Sequence, residues 1–70
     1  MIKEVKIKDE HIRLGQAMKL GRMVGSGVEA KMLIQDGQVR VNGQVELKRG
    51  KKLFAGDVVS YQGEEIKIAK

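Results

Sequence analysis

The side chains in this sequence that are equipped for chemistry are mostly cations, and most of them are gathered in one stretch. Arg13, Lys19, Arg22, Lys31, Arg40, Lys48, Arg49, Lys51 and Lys52 fall between residues 11 and 52, where only Glu29, Asp36 and Glu46 oppose them. That segment carries +6, residues 1–10 balance to zero and residues 53–70 carry −1, so the middle supplies all of the formal +5. A positive field concentrated in one segment attracts polyanions, whereas an evenly mixed surface serves solubility.

Catalysis lacks its parts. His11 is the only imidazole and cysteine is absent, so neither a Cys–His nucleophile pair nor a multi-histidine metal site can be assembled. Ser26 and Ser60 are the only aliphatic hydroxyls, and Ser26 is placed to cap a helix. Glu64 and Glu65 are adjacent in a strand or turn, so they face opposite ways and make no carboxylate pair. Gly25-Ser26-Gly27 resembles a fragment of a phosphate loop but lacks the spaced Gly-Lys-Ser/Thr. The expectation is no enzyme, no cofactor, no metal and no small-molecule substrate. Seventy residues make one domain, 1–70, with no apolar run near the roughly 20 residues of a membrane span. With no secretory h-region in residues 1–10 and no cysteine, a cytoplasmic protein without a membrane partner is expected.

The elements that must position these cations are legible as changes of period. Val5 and Ile7 alternate with Lys6 and Lys8 as in a half-buried strand, and Asp9 to His11 break it. Leu14, Ala17, Met18 and Gly21 then recur at helical spacing, which predicts a first helix over 14–23 with Lys19 and Arg22 on its outer face. Ser26 and Glu29 form a capping box for a second helix, in which Glu29 reaches back to the Ser26 amide. Ala30, Leu33 and Ile34 are its apolar stripe, Lys31 and Gln35 face out, and Gly37 suits a left-handed stop. Its first amides, at the positive dipole end, are suited to a phosphate.

Val39, Val41, Val45 and Leu47 surround Asn42-Gly43, a hairpin signal. A three-residue loop, Val41-Asn42-Gly43, would pair Val39 with Val45 and Arg40 with Gln44 and so segregate apolar from polar faces. The basic turn Lys48–Lys52 follows, then a Leu53-Phe54 plug, an Ala55-Gly56-Asp57 turn, and a last hairpin around Gln62-Gly63 pairing Val59 with Ile66. The order β-α-α-β-β-β-β predicts an α+β fold: a two-helix unit on a small, mainly antiparallel sheet of four to five strands. Lys19, Arg22, Lys31, Arg40, Lys48, Arg49 and Lys51 would then converge on one basic surface. Phe54 and Tyr61 are the only aromatics, so base stacking is scarce and recognition of backbone and shape is favoured.

The run from Ser26 to Gly43, with Ser26, Glu29-Ala30, Leu33-Ile34, Gly37, the spaced Val39 and Val41, and Asn42-Gly43, resembles the S-four-type RNA-binding domain, also called the alpha-L motif. Arg13-Leu14 resembles the opening of that family's first helix and Gly56-Asp57-Val58 its closing turn, so the resemblance covers residues 11–61. The Leu14-Gly15-Gln16 start, the Gly25–Gly27 turn and Glu29-Ala30-Lys31 are similar to the family's short stand-alone bacterial branch (YaaA/YbcJ-like). The resemblance implies a bacterial, ribosome-associated protein that contacts structured RNA, above all ribosomal RNA, through the helix pair and the following hairpin. It places Arg13, Ser26, Lys31, Arg40 and Asn42 at motif positions; Lys19, Arg22, Lys48, Arg49 and Lys51 join them on charge geometry. Two departures stand out: Gly27 where many members have Arg, and Gly15, which weakens the helix by about 1 kcal/mol relative to Ala and permits another backbone to come close. Competing readings are a protein-docking module anchored by Val28 and Met32, and a duplex-DNA binder whose second helix has only Lys31 and Gln35 to read bases.

Overall fold

A computed structural model describes residues 2–70. In chain order it contains β1 (Ile2–Lys6), β2 (Ile12–Arg13), α1 (Leu14–Leu20), α2 (Gly27–Gln35), β3 (Arg40–Val41), β4 (Gln44–Val45), β5 (Lys52–Leu53), β6 (Val58–Tyr61) and β7 (Glu64–Ala69). Among the described residues the main sheet has five strands ordered β1-β7-β6-β3-β4, and β2 pairs with β5 in a separate two-stranded ladder. β1 runs parallel to β7; the other pairings are antiparallel. The fold is α+β, with two helices and a mainly antiparallel sheet, as the sequence predicts. One core joins Leu14, Ala17 and Met18 of α1 and Ala30 and Ile34 of α2 to Val5, Val41, Val59, Ile66 and Ile68 of the sheet. No helix among the described residues is long and apolar enough to cross a membrane.

The second helix forms as its end signals require. The Ser26 hydroxyl accepts the Glu29 N–H at 3.2 Å. The Glu29 carboxylate, however, accepts the N–H of Gly25 at 2.7 Å, one residue before the expected Ser26 amide. At the other end Gly37, at φ +78°, donates to the carbonyl of Ile34, and Gln38 to that of Leu33. This is the Schellman pattern that glycine makes inexpensive. The last hairpin also matches: Val59 faces Ile66, and Gln62-Gly63 turns with φ of 50° and 81°.

Three expectations need correction. The first helix stops at Leu20 rather than continuing to residue 23, because the chain closes on itself there: the N–H of Arg22 bonds the carbonyl of Lys19 and that of Met23 the carbonyl of Met18. A Cβ at Gly21 would sit 2.9 Å from Cγ2 of Ile66, and Arg22 then turns left-handed at φ 59°. The first hairpin uses a two-residue loop, pairing Arg40 with Val45 and Val41 with Gln44. Asn42 and Gly43 both take positive φ, 52° and 85°, the mirror-image turn that matches strand twist. Face segregation has little pull on this register because β4 is an exposed edge: Val45 stays half exposed, while Val41 is buried beside Val59 of β6. Finally, β2 and β5 are additional strands where the sequence pattern predicts a chain break and an apolar plug. Ile12 pairs with Leu53, which is fully buried, and Phe54 is left half exposed.

Candidate nucleic-acid interface

The N-terminus of α1 carries no side-chain cap: Arg13 occupies the cap position without such a bond, and the first turn has no acid. Its leading amides are satisfied from far along the chain. Leu14 donates to the carbonyl of Lys51 at 2.9 Å and Gly15 to that of Arg49 at 3.2 Å. The basic turn after β4 therefore serves as the cap of α1. Gly15 makes that approach possible, since a Cβ there would lie 2.8 Å from Cγ and 3.3 Å from Cδ of Arg49. On the other flank the Arg13 guanidinium donates to the carbonyl of Gly50 at 3.4 Å.

Between these elements lies a groove of about 500 Å³ lined by Arg13, Gln16, Lys19 and Arg49, with Gly15, Gly27 and Gly50 also contributing. None of these lining residues is acidic. Lys52 stands directly across the short ladder from Arg13 and adds to the positive surroundings. Three guanidinium or ammonium groups around a glycine-lined channel provide charge-assisted donors for anionic oxygens. The open backbone also allows close approach: beyond its chain neighbours and its own helix backbone, no described atom lies within 4 Å of where a Gly27 Cβ would be.

A family model described as the S4 domain matches residues 5–69. The chain belongs to the S4 domain family. Over 63 residues it is 40% identical to RlbA of Bacillus subtilis (strain 168), spanning 90% of this chain and 89% of that one. RlbA is a protein whose name proposes a part in ribosome maturation. YbcJ of Escherichia coli (strain K12), whose name proposes RNA binding, is 38% identical over 61 residues, 87% of each chain. The solution structure of E. coli YbcJ, described as revealing an alpha-L motif involved in RNA binding, matches with a TM-score of 0.70 at 33% identity. It covers 99% of this chain and 86% of that one. The alpha-L resemblance carried by residues 26–43 therefore holds.

This S4 domain brings only some of the expected site residues together. Arg13, Lys19 and Arg49 share the groove, and Ser26 adjoins it next to Gly27 with its hydroxyl already accepting from Glu29. Lys31 is exposed on α2, one helical turn beyond Gly27. Arg22 does not share a helix face with Lys19, because α1 has ended before it. Arg40 is exposed on β3, opposite Val45 on one side and Ser60 on the other. Lys51 lines a separate hollow with Asn42, Gln44 and Glu46. Lys48 is exposed in the turn, its N–H on the Glu46 carboxylate at 3.2 Å.

Asn42 has a structural task in this S4 domain. Its Nδ2 donates to Oδ1 of Asp57 at 3.1 Å and its Oδ1 accepts the N–H of Val58 at 2.9 Å, tying the first hairpin to the start of β6. The positive end of α2 is likewise already partly answered, by the Glu29 carboxylate on Gly25. Sequence reasoning missed Gln16 and Lys52. Gln16 is uncharged and gives no signal; Lys52 is visible as a charge, but its place opposite Arg13 depends on the β2–β5 pairing.

Proposed function

We propose that this S4 domain is a non-catalytic RNA-binding protein of the bacterial cytoplasm, acting on structured RNA and above all on ribosomal RNA. The observation that carries the reading is the acid-free groove in which Arg13, Lys19 and Arg49 meet over glycine backbone. Phosphate oxygens are its natural occupants, and cations held by a packed helix and its capping turn set orientation on a duplex or stem. Lys52, opposite Arg13 across the short ladder, and Lys31, one turn along α2 from Gly27, extend the positive field around it. The names of RlbA and YbcJ support the ribosomal and RNA parts of the reading.

The test is competition between structured ribosomal RNA, single-stranded RNA and duplex DNA at two salt concentrations. Structured RNA should win, and engagement of about three to five phosphates should give a log–log salt slope of about −2.7 to −4.5. Arg49→Ala and Lys19→Ala should each weaken binding at unchanged thermal stability; undiminished affinity in both would refute the groove as the RNA surface. One observation favours a second reading, protein docking: Val28 and Met32 are 68% and 65% exposed on α2. If alanine at both positions abolishes binding to a ribosomal protein and leaves RNA affinity intact, docking is supported.

A further inference from the structure

The basic groove does not end at α1. Gln16 and Lys19 also line a neighbouring hollow of about 560 Å³, formed between α1 and the segment that links β1 to β2. Its character differs. Ile7, Ile12 and Leu20 contribute apolar surface, and Leu20 is left 60% exposed by the described residues. Lys6 and Lys8 add cations on the linker side. His11 is among the lining residues, and its ring is braced by Phe54 at a centroid distance of 6.1 Å and an interplanar angle of 53°. Asp9 and Gln16 supply an acceptor and an amide.

Phosphate alone would engage the lysines and leave the apolar surface and the Asp9 carboxylate without a partner. A nucleobase uses every part: a π-face for the imidazole and the aliphatic groups, and edge donors and acceptors for Gln16 and Asp9. The volume falls in the usual range of small-ligand sites, roughly 300–1,000 Å³. Lys19, common to both cavities, can hold the phosphate at which the chain passes from one to the other. We propose that the hollow receives one unpaired base of an RNA whose backbone lies in the Arg13–Lys19–Arg49 groove, so that the protein recognises a stem together with a flanking single-stranded nucleotide. The inference rests on the RNA-binding reading above.

The experiment uses the full chain and a ribosomal RNA hairpin, either blunt or carrying a two-nucleotide 5′ or 3′ extension with 2-aminopurine next to the stem. One of the two extensions should raise affinity about fivefold, the low end for a single base–ring stack, and raise 2-aminopurine fluorescence on binding as the base leaves its stack on the stem end. His11→Ala and Leu20→Ala should each abolish the affinity gain and the fluorescence rise while leaving affinity for the blunt hairpin unchanged. Replacing the 2-aminopurine by an abasic residue should also abolish the gain. If the blunt hairpin binds but neither extension adds affinity or changes fluorescence, the base site is refuted and the groove stands. If the blunt hairpin does not bind, the RNA reading itself falls and takes this proposal with it.

Discussion

The two helices are built on opposite plans. α2 carries its own instructions: Ser26 and Glu29 at its start, Gly37 at its end, and only Ala30 and Ile34 of nine residues buried. α1 carries almost none. Of its seven residues Leu14, Gly15, Ala17 and Met18 are buried, its cap position offers no side-chain bond, and its first amides are satisfied by Lys51 and Arg49. Helices this short are marginal alone, so α2 is a local structure stabilised by packing, whereas α1 exists because the rest of the fold completes it. The consequence for the groove is direct. Arg49 is not a free loop cation; its carbonyl accepts the Gly15 N–H and so ties its turn to the start of a helix buried in the core.

The strongest way to break this contrast is Leu14→Ala. The side chain is fully buried at the junction of α1 and the basic turn, and its truncation should cost about 2–5 kcal/mol in denaturant unfolding and abolish RNA binding through unfolding. A locally held α1 would instead show a cost well below that range. Ser26→Ala probes the other plan: removing the α2 cap should cost about 1 kcal/mol with RNA affinity nearly unchanged. A drop in affinity at unchanged stability would make Ser26 an RNA contact rather than a cap.

Gly15→Ala sharpens the comparison, because two effects oppose each other. Alanine favours the helix by about 1 kcal/mol, but its Cβ falls on the Arg49 stem, so the net stability change should be under about 1 kcal/mol while RNA affinity drops several-fold. Adding Arg49→Ala removes the collision and should recover the helix gain in thermal melts without recovering affinity. The smallest effect is expected at Met32→Ala, exposed on α2, within about 0.5 kcal/mol and with RNA binding intact by titration.

What can be read from the sequence follows the same division. The α2 cap, the Gly37 stop and the Val59–Ile66 pairing are legible because each signal lies within a few residues of its effect. The end of α1 is not: Gly21 has the right spacing to continue the stripe, and the stop is made by Arg22 in the left-handed region, a residue type that does not announce it. The short β2–β5 ladder escapes because Ile12 and Leu53 give no local periodicity. In the site, the cations are legible and their partition is not. Lys19 and Arg22 look equivalent at helical spacing, yet one lines the groove and the other lies past the helix end. Asn42 resembles a contact residue by motif, and its hydrogen bonds to Asp57 and Val58 give it a bracing role that no spacing rule reveals.

The parallel pairing of β1 with β7 sets an order of assembly. α2 and both hairpins can close from residues near in sequence, but Ile2 must find Glu65 and Val5 must find Ile68 across almost the whole chain. Closing so long a loop costs more chain entropy than closing either hairpin, so β1 is expected to dock after them, an order that pulse-labelling amide exchange checks. The ladder continues past β1 through the Ile7 N–H on the carbonyl of Ala69, directly into the linker residues that wall the hollow beside Lys19. That wall thus hangs on the strand pairing of longest sequence separation in the molecule, and an occupant of the hollow should act as a clasp on it, slowing amide exchange at Val5 and Ile7 before it slows exchange anywhere in α2.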